Sequence, residues 1–347
     1  MYTDKRLFSS LFLLQLFSSF LVLAGHYTAD VSGYIQWSFW EDALNQISRY
    51  GTVLLTMITG FFTAHSLTGK KASGKKYFSG KFTYVYLPFL FSSILYFFVM
   101  QKGVPATLED VKNIFFGNTA GHLYFIFMIC QYYVFAFAFR RFITKNNIFL
   151  VCLLFFVLQY LFINVVAHGW MGLGIRHFLP TWIFTLYLGH LLYWYRQNIF
   201  LYMEKHRLVL FTLAGLALLG AIYFVLSPKL YTANHLVFVI ASFLLLLSGA
   251  AILNRVVDYI HPPFKKGLTF HIYLLHPLFI IIGDKVVQSF YRLETVFFHR
   301  SLSVLYMFAI YIATYVVSLL CVKAMEKALG ALRAGREQRR LLKQTSP

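Results

Sequence analysis

Residues 122–139 read HLYFIFMICQYYVFAFAF, a run that contains no Asp, Glu, Lys or Arg. A helix of about 20 apolar residues crosses a hydrocarbon core of ~30 Å, so this stretch is typical of a membrane span. Runs of this kind recur along the 347-residue chain, of which 59% is hydrophobic and 12% is charged. The mean hydropathy is +0.66. The sequence therefore predicts an all-α, polytopic integral membrane protein.

The apolar runs divide into ten predicted spans, and an even number places both termini on the same side of the membrane. We predict the spans at residues 7–26, 47–67, 82–101, 122–139, 148–166, 177–195, 208–227, 235–253, 268–284 and 301–322. With these bounds, 23 of the 31 Lys and Arg residues fall on one side and 8 on the other. Because basic residues favour cytoplasmic loops, we expect the N and C termini in the cytoplasm.

The same topology accounts for the formal net charge of +19, which by itself would indicate a nucleic-acid partner. The basic residues lie in short loops between apolar runs, so we expect no nucleic acid to bind. Cys130, Cys152 and Cys321 lie inside apolar runs, where they favour packing over a disulfide framework or a metal site, and no metal is expected. Residues 1–322 are predicted to form one transmembrane domain. Residues 323–347 are predicted to form a basic cytoplasmic tail, either a short helix on the inner leaflet or disordered.

A polar stripe runs along the first predicted span. Gln15, Ser18, Ser19 and His26 are spaced at 0, 3, 4 and 11, the repeat of one helical face. From Gln15 to His26 is ~16 Å of helix axis at about 1.5 Å per residue. A polar stripe on an apolar span indicates a wet or protein-lined interior, which is typical of a substrate path or a buried site.

Histidines end span one and begin span four. In the predicted topology span one runs outward and span four runs inward, so His26 and His122 are expected at similar depth near the outer end. An ionisable side chain within a membrane costs a few kcal/mol, so each needs a partner, a cavity or a function. The structural alternative for His122 is hydration at the interface.

Two further histidines lie deeper in predicted spans. His276 precedes Pro277 in span nine, where an imidazole can satisfy a carbonyl that the proline leaves without a donor. His190 in span six is predicted to have a packing or interfacial role.

Five segments in order resemble the membrane acyltransferase 3 family. The family's first span carries an arginine followed about eleven residues later by a histidine, and His26 occupies the histidine position. TMITGFF at 56–62, KKYFSGKFTYVYLPF at 75–89, GHLYFIFMICQYY at 121–133 and TFHIYLLHPLF at 269–279 are similar to the family's other motifs. With ten spans and a cytoplasmic N terminus, the resemblance covers nearly the whole chain.

The chain departs from the family pattern at two positions. Gln15 stands where the family has its arginine, and an amide offers no charge to a phosphate or a thioester carbonyl. The paired arginines of the family's first cytoplasmic loop correspond to Lys81 and Tyr84, with Lys75 and Lys76 as further sources of charge. The resemblance implies that Gln15 and these three lysines bind the acyl donor.

The resemblance implies an O-acyltransferase that moves an acyl group onto a hydroxyl of a cell-surface or lipid-linked glycan. The leading candidate for the acyl group is acetyl, with acetyl-CoA as the donor. The lysine-rich loop at 70–81 would hold the CoA phosphates. His26 is the candidate general base, because the ordinary pKa of histidine of ~6.5 suits proton transfer near neutral pH. His122 would orient His26, bind the thioester oxygen or contact the acceptor.

Further residues are candidates for acceptor binding. Glu41, Asp42 and His276 are predicted to contact the sugar, and Trp37 and Trp40 could stack on it, although an interfacial aromatic belt also explains the tryptophans. We expect a multi-pass protein of the bacterial plasma membrane. Its expected partners are the bilayer, the acyl-CoA, the glycan and a polysaccharide synthase or a separate extracytoplasmic transferase. The alternatives are a polysaccharide or lipid-linked sugar transporter and a non-catalytic member of a synthase complex.

Overall fold

The computed structural model describes residues 3–68, 73–101, 103–166, 173–227, 235–260 and 265–345. These residues form fourteen α-helices, two short 3-10 helices and one π-helical turn, and no strand occurs among them, which confirms the all-α fold. The helices are α1 (Asp4–Val31), α2 (Phe39–Ser48), α3 (Tyr50–Leu67), α4 (Gly74–Lys81), α5 (Leu87–Gln101), α6 (Leu108–Phe116), α7 (Tyr124–Phe139), α8 (Ile148–Asn164), α9 (Ile183–Lys205), α10 (Arg207–Leu226), α11 (Leu236–Ile260), α12 (Leu268–Gln288), α13 (Leu293–Phe298) and α14 (Arg300–Thr345).

Six helical segments of the described chain are long and apolar enough to cross a membrane. They are Asp4–Val31, Gly74–Met100, Arg207–Leu226, Leu236–Ile260, Leu268–Gln288 and Arg300–Ala331, and α7 and α8 are shorter apolar helices. Each of the ten predicted spans overlaps a helix. The count of ten spans and the cytoplasmic termini stay predictions.

The chain divides into two compact units, Met1–Pro262 and Pro263–Pro347. The first unit contains α1 to α11, and its centre is formed by α1, α3 and α9, with α11 also packed on α1. The second unit contains α12, α13 and α14, with α12 packed along α14.

Glycines set the tight contact between α3 and α9. A Cβ atom built on Gly60 would collide with the carbonyl of Leu186, and one on Gly189 would collide with the backbone at Met57 and Phe61. The small residues therefore let the two backbones touch, as is common between membrane helices. This contact brings His190, which follows Gly189 in the chain, close to α3.

The helix that begins with α4 has a defect after Lys81. Residues Phe82–Tyr86 form a π-helical turn, and the N–H of Leu87 donates to the carbonyl of Phe82 five residues earlier. Pro88 follows, and its ring nitrogen cannot donate to the carbonyl of Tyr84. Because π-turns inside helices often occur at functional sites, this turn indicates that the region around Lys81 is a candidate functional site.

In the second unit, α14 extends from Arg300 to Thr345 as one helix. The backbone of the predicted tail, residues 323–347, is therefore helical as far as Thr345 and continues the preceding helix rather than forming a separate short one. The predicted domain boundary at residue 322 stays a prediction.

Candidate active site

Two histidines that are far apart in the sequence meet in the first unit. The ring centroids of His26 and His122 are 5.9 Å apart, and the ring planes make an angle of 76°, an edge-to-face contact. His26 lies in the last third of α1 and is half-buried. His122 lies in the turn before α7 and is 2% exposed. The structure thus brings together the two residues that the sequence nominates as catalytic, while their roles stay a prediction.

The turn that carries His122 is shaped by a glycine. Gly117 ends α6 in the left-handed region with φ +72°. Residues with a Cβ atom adopt this conformation only with strain, so glycine is favoured here. A Cβ at Gly117 would also lie 2.8 Å from the carbonyl oxygen of Leu123. Ser93 of α5 donates to the carbonyl of Ile114 at 2.7 Å and its hydroxyl is 2.8 Å from that of Thr119. These contacts hold the segment that leads to His122 against α5.

Tyr96 of α5 completes the buried side of the histidine pair. Its ring centroid is 5.0 Å from that of His122, again edge to face, and the tyrosine is fully buried. Tyr96 is not among the site residues that the sequence analysis nominates. The sequence does contain a pattern that points to it, because the spacing of Ser92, Ser93 and Tyr96 gives an apolar helix one polar face. In the structure Ser92 and Ser93 are buried.

On the other side of the pair, α2 packs across α1 next to His26. The side-chain amide of Asn45 donates to the hydroxyl of Thr28 at 2.9 Å and to the carbonyl of Gly25 at 3.4 Å. The guanidinium of Arg49 donates to the Asn45 side-chain oxygen, with Nη2 at 3.1 Å. The bonds of Asn45 therefore join α2 to α1 at residues on either side of His26, and Arg49 holds the Asn45 side chain in place.

The segment after α8 adds further polar groups near Tyr124, which is two residues past His122. The rings of Tyr124 and His177 are 5.6 Å apart. Gln131 of α7 holds this segment, since its amide donates to the carbonyl of His177 at 2.6 Å and its oxygen accepts from the N–H of Leu179 at 3.3 Å. The Nδ1 of His177 donates to the carbonyl of Gly174 at 3.1 Å, which fixes the orientation of the ring.

Two arginines and one carboxylate lie near one another beside this segment. Arg49 is close enough to Arg176 and Asp42 to interact with both charges. Arg49 is half-buried and Arg176 is exposed.

The polar stripe of α1 has mostly local partners. The Ser18 hydroxyl donates to the carbonyl of Leu14 at 2.6 Å, and that of Ser19 donates to the carbonyl of Leu16 at 2.7 Å. Both serines are buried and Gln15 is half-buried. The serine hydroxyls thus satisfy backbone carbonyls of their own helix, which is a structural role. Gln15 is the residue of the stripe, besides His26, that is suited to a ligand.

The three candidate donor-binding lysines differ in their surroundings. Lys75 and Lys76 are exposed on α4. Lys81 is half-buried, with its Nζ 3.8 Å from the ring centroid of Tyr133 on α7 and 5.5 Å from that of Tyr77. In such cation–π contacts the ring face attracts the ammonium group, which restricts the position of the Lys81 side chain. The part of the loop at 69–72, with Lys70 and Lys71, lies outside the described residues.

The predicted acceptor-binding residues of the first unit have structural contacts. The Glu41 carboxylate accepts from the backbone N–H of Ser38 at 2.8 Å and from its hydroxyl, so Glu41 forms the capping box of α2. Asp42 accepts from the amide of Gln46 at 3.3 Å. The indole of Trp37 donates to the carbonyl of Thr28 at 3.0 Å, and Trp40 is 60% exposed. Glu41 and Trp37 thus stabilise the α1–α2 connection, and the acceptor role of Glu41 and Asp42 stays a prediction.

His276 belongs to the second unit and is fully buried. Its Nδ1 donates to the carbonyl of Tyr273 at 2.8 Å. That carbonyl lies four residues before Pro277, which has no N–H to donate to it. The imidazole therefore replaces the hydrogen bond that the proline removes, as the structural alternative predicted.

The histidine pair can act as a proton acceptor with an orienting neighbour. A neutral imidazole can accept a proton from a hydroxyl that attacks a carbonyl, and a second imidazole at ring-contact distance restricts its orientation. Within the described ranges, no group of three or more His, Cys, Asp or Glu side chains could hold a metal ion.

The helices and this pair define a class: an all-helical protein, with several helices apolar enough for a membrane, that places two histidines side by side. The family model described as acyltransferase domain matches residues 8–323, so the chain belongs to the membrane acyltransferase 3 family. Comparison with the curated proteins and with the solved structures found no match. The family supports an acyltransferase and does not favour the transporter or the non-catalytic alternative. Together with the apolar helices, it points to a multi-pass membrane protein.

Proposed function

We propose that this protein transfers an acyl group to a hydroxyl of a cell-surface or lipid-linked glycan at the bacterial plasma membrane. The leading candidate for the acyl group is acetyl, with acetyl-CoA as the donor. The observation that carries the proposal is the contact between His26 and His122, two family-motif residues whose rings lie 5.9 Å apart among buried apolar side chains. An ionisable pair in such surroundings is a default functional site in a membrane protein.

His26 is the proposed general base. It takes the proton of the sugar hydroxyl as that oxygen attacks the thioester carbonyl, the C–O ester bond forms, the C–S bond breaks, and CoA leaves with the sulfur's electron pair. His122 limits the rotation of His26 through the edge-to-face contact, and Tyr96 limits that of His122 in turn. A transient acyl-histidine is the covalent variant of the same scheme.

The placement of Lys81 supports a donor that enters from the predicted cytoplasmic side. Lys81 contacts Tyr133, which lies nine residues after Tyr124 in α7, or ~14 Å along the helix axis at about 1.5 Å per residue. His122 precedes Tyr124 by two residues. A phosphate on Lys81 and a thioester beside His122 are thus separated by a distance that suits the extended pantetheine arm of CoA.

Purified protein in vesicles, given radiolabelled acetyl-CoA and a panel of glycans, tests the proposal. The wild type should label a glycan, and His26→Ala should reduce the rate at least about 100-fold, the usual range for a general base. His235→Ala is the matched control, because His235 is an exposed histidine just before α11. Normal labelling by the His26→Ala variant would exclude His26 as the base, and movement of glycan across the vesicle without acetyl-CoA would favour transport instead.

We also propose a partner that supplies or receives the glycan, either a polysaccharide synthase or a separate extracytoplasmic transferase. Co-purification from membranes in mild detergent measures this association. A strain that does not make the glycan is the control.

A further inference from the structure

A second buried polar site lies in the first unit, where α3, α7 and α9 meet. His190 of α9 is 4% exposed, and its Nε2 shares a hydrogen bond with the hydroxyl of Tyr132 on α7, which is fully buried. The ring of Tyr187 stacks on His190 at 4.4 Å and 20°, and Trp194 contacts its edge at 5.6 Å. His190 is therefore held rigidly, and it is buried rather than interfacial.

This site contains a buried polar atom that the described residues leave without a hydrogen bond, the Nδ1 of His190. Thr63 of α3 is 1% exposed, and its hydroxyl lies beside that of Tyr132 and has capacity for a second hydrogen bond. A neutral imidazole has one donor and one acceptor, so the bond at Nε2 leaves Nδ1 with the opposite capacity. Folded proteins rarely bury such atoms unsatisfied, and a bound group is one way to satisfy them.

A chain of ring contacts connects this site to the candidate donor-binding lysine. The rings of Tyr132 and Tyr133 are 5.8 Å apart, and the ammonium of Lys81 lies 3.8 Å from the Tyr133 centroid. Because Tyr132 and Tyr133 are neighbours on α7, His190 and Lys81 lie at one level of that helix. A donor that contacts Lys81 and extends towards His122 would start its path at this level.

We propose that His190 and Thr63 bind an amide or hydroxyl group of the pantetheine arm of the acyl donor, with Tyr132 as the residue that positions His190. The arm carries both kinds of group, and each pairs with an imidazole nitrogen or a hydroxyl. This inference rests on the proposed function, because it assumes that acyl-CoA is the donor. His190 contributes to donor binding and takes no part in proton transfer.

Binding of two fragments of CoA to the detergent-solubilised full chain tests the site. Pantetheine carries the arm alone, and adenosine 3′,5′-bisphosphate carries the nucleotide phosphates alone. His190→Ala should weaken pantetheine binding about tenfold, the loss expected for a buried hydrogen bond, and leave bisphosphate binding unchanged. Lys81→Met should have the opposite pattern. Thr63→Val should resemble His190→Ala, whereas Thr63→Ser, which keeps the hydroxyl, should bind normally.

Each contrary outcome has a separate meaning. If the wild type binds neither CoA nor either fragment, the proposed donor is wrong and this inference fails with it. If the wild type binds pantetheine and His190→Ala binds it equally well, only the inference is overturned. An equal loss of both fragments in His190→Ala, with Thr63→Val unaffected, would show that His190 acts on the fold and would likewise overturn the inference.

Discussion

His122 and His276 lie in motifs that resemble the same family, and both are buried, yet their surroundings differ. His122, in the turn before α7, contacts the rings of His26 on α1 and Tyr96 on α5. His276 donates to the carbonyl of Tyr273 in its own helix, at the point where Pro277 interrupts the hydrogen-bond ladder. One contact set is tertiary and joins titratable groups, whereas the other repairs a local backbone defect.

The difference teaches that a buried histidine in a membrane protein is explained by its partners rather than by its burial. Burial costs both residues free energy, since a polar side chain leaves water. For His276 the hydrogen bond to a carbonyl that would otherwise be unsatisfied offsets this cost. The ring contacts of His122 join it to side chains of α1 and α5 rather than to a carbonyl of its own segment. The catalytic role proposed for His122 gives this placement a chemical reason.

The largest expected effect is on catalysis at His122. His122→Ala should reduce the rate of glycan acylation about 100-fold, because His26 loses the neighbour that restricts its orientation, and a small misplacement of a catalytic group has a cost of that size. The midpoint of thermal unfolding in detergent should change little, since the turn is held by Gly117 and Ser93. Labelling rates and unfolding midpoints of the same preparations measure both quantities.

His235→Ala serves as the control for handling and for the loss of a histidine as such. A His122→Ala variant that acylates at the wild-type rate would remove the distinction between His122 and His276. A variant that is inactive but also unfolds at a much lower temperature would assign His122 a structural role instead.

The second prediction concerns stability at His276. His276→Ala should destabilise the protein by about 1–3 kcal/mol, because the carbonyl of Tyr273 loses its donor. In a Pro277→Ala background the new N–H can donate to that carbonyl, so the same substitution should cost less. The double-mutant cycle from chemical unfolding measures this coupling. Equal costs in both backgrounds would contradict the repair role, and a loss of acylation with unchanged stability would give His276 a chemical role like that of His122.

Part of this comparison could be predicted from the sequence. The apolar runs located the helices, because a run of about 20 apolar residues has the length and composition of a membrane-spanning helix. Alternating span directions placed His26 and His122 at one level, and the spacing of His276 and Pro277 indicated the local hydrogen bond. The contacts of Tyr96 and the bond from Tyr132 to His190 depend on how each helix is rotated about its axis. That rotation is set by packing between helices, such as the contact of Gly60 with Gly189, which the sequence of one chain does not specify.

The third prediction compares Lys81, which an aromatic ring holds in place, with the exposed Lys75 and Lys76. Lys81→Met should weaken acyl-CoA binding about fivefold to tenfold, because the ammonium held over Tyr133 is already in place when the donor arrives. Lys75→Met together with Lys76→Met should have a smaller effect that disappears at high salt, since exposed charges are screened. Titration of CoA at low and high ionic strength measures both. A stronger effect of the exposed pair would mean that the donor phosphates bind outside the helices.

The smallest expected effect is at Glu41, which the sequence nominated for acceptor binding. The letters SFWE at 38–41 also form a capping-box motif, and the structure shows that box. Glu41→Ala should destabilise the protein by about 0.5–2 kcal/mol through loss of the cap, with the Michaelis constant for the glycan unchanged. Ser38→Ala, which removes the other half of the box, should have a similar effect on stability and none on the glycan. If Glu41→Ala raises the Michaelis constant several-fold and Ser38→Ala does not, Glu41 contacts the acceptor in addition to capping α2.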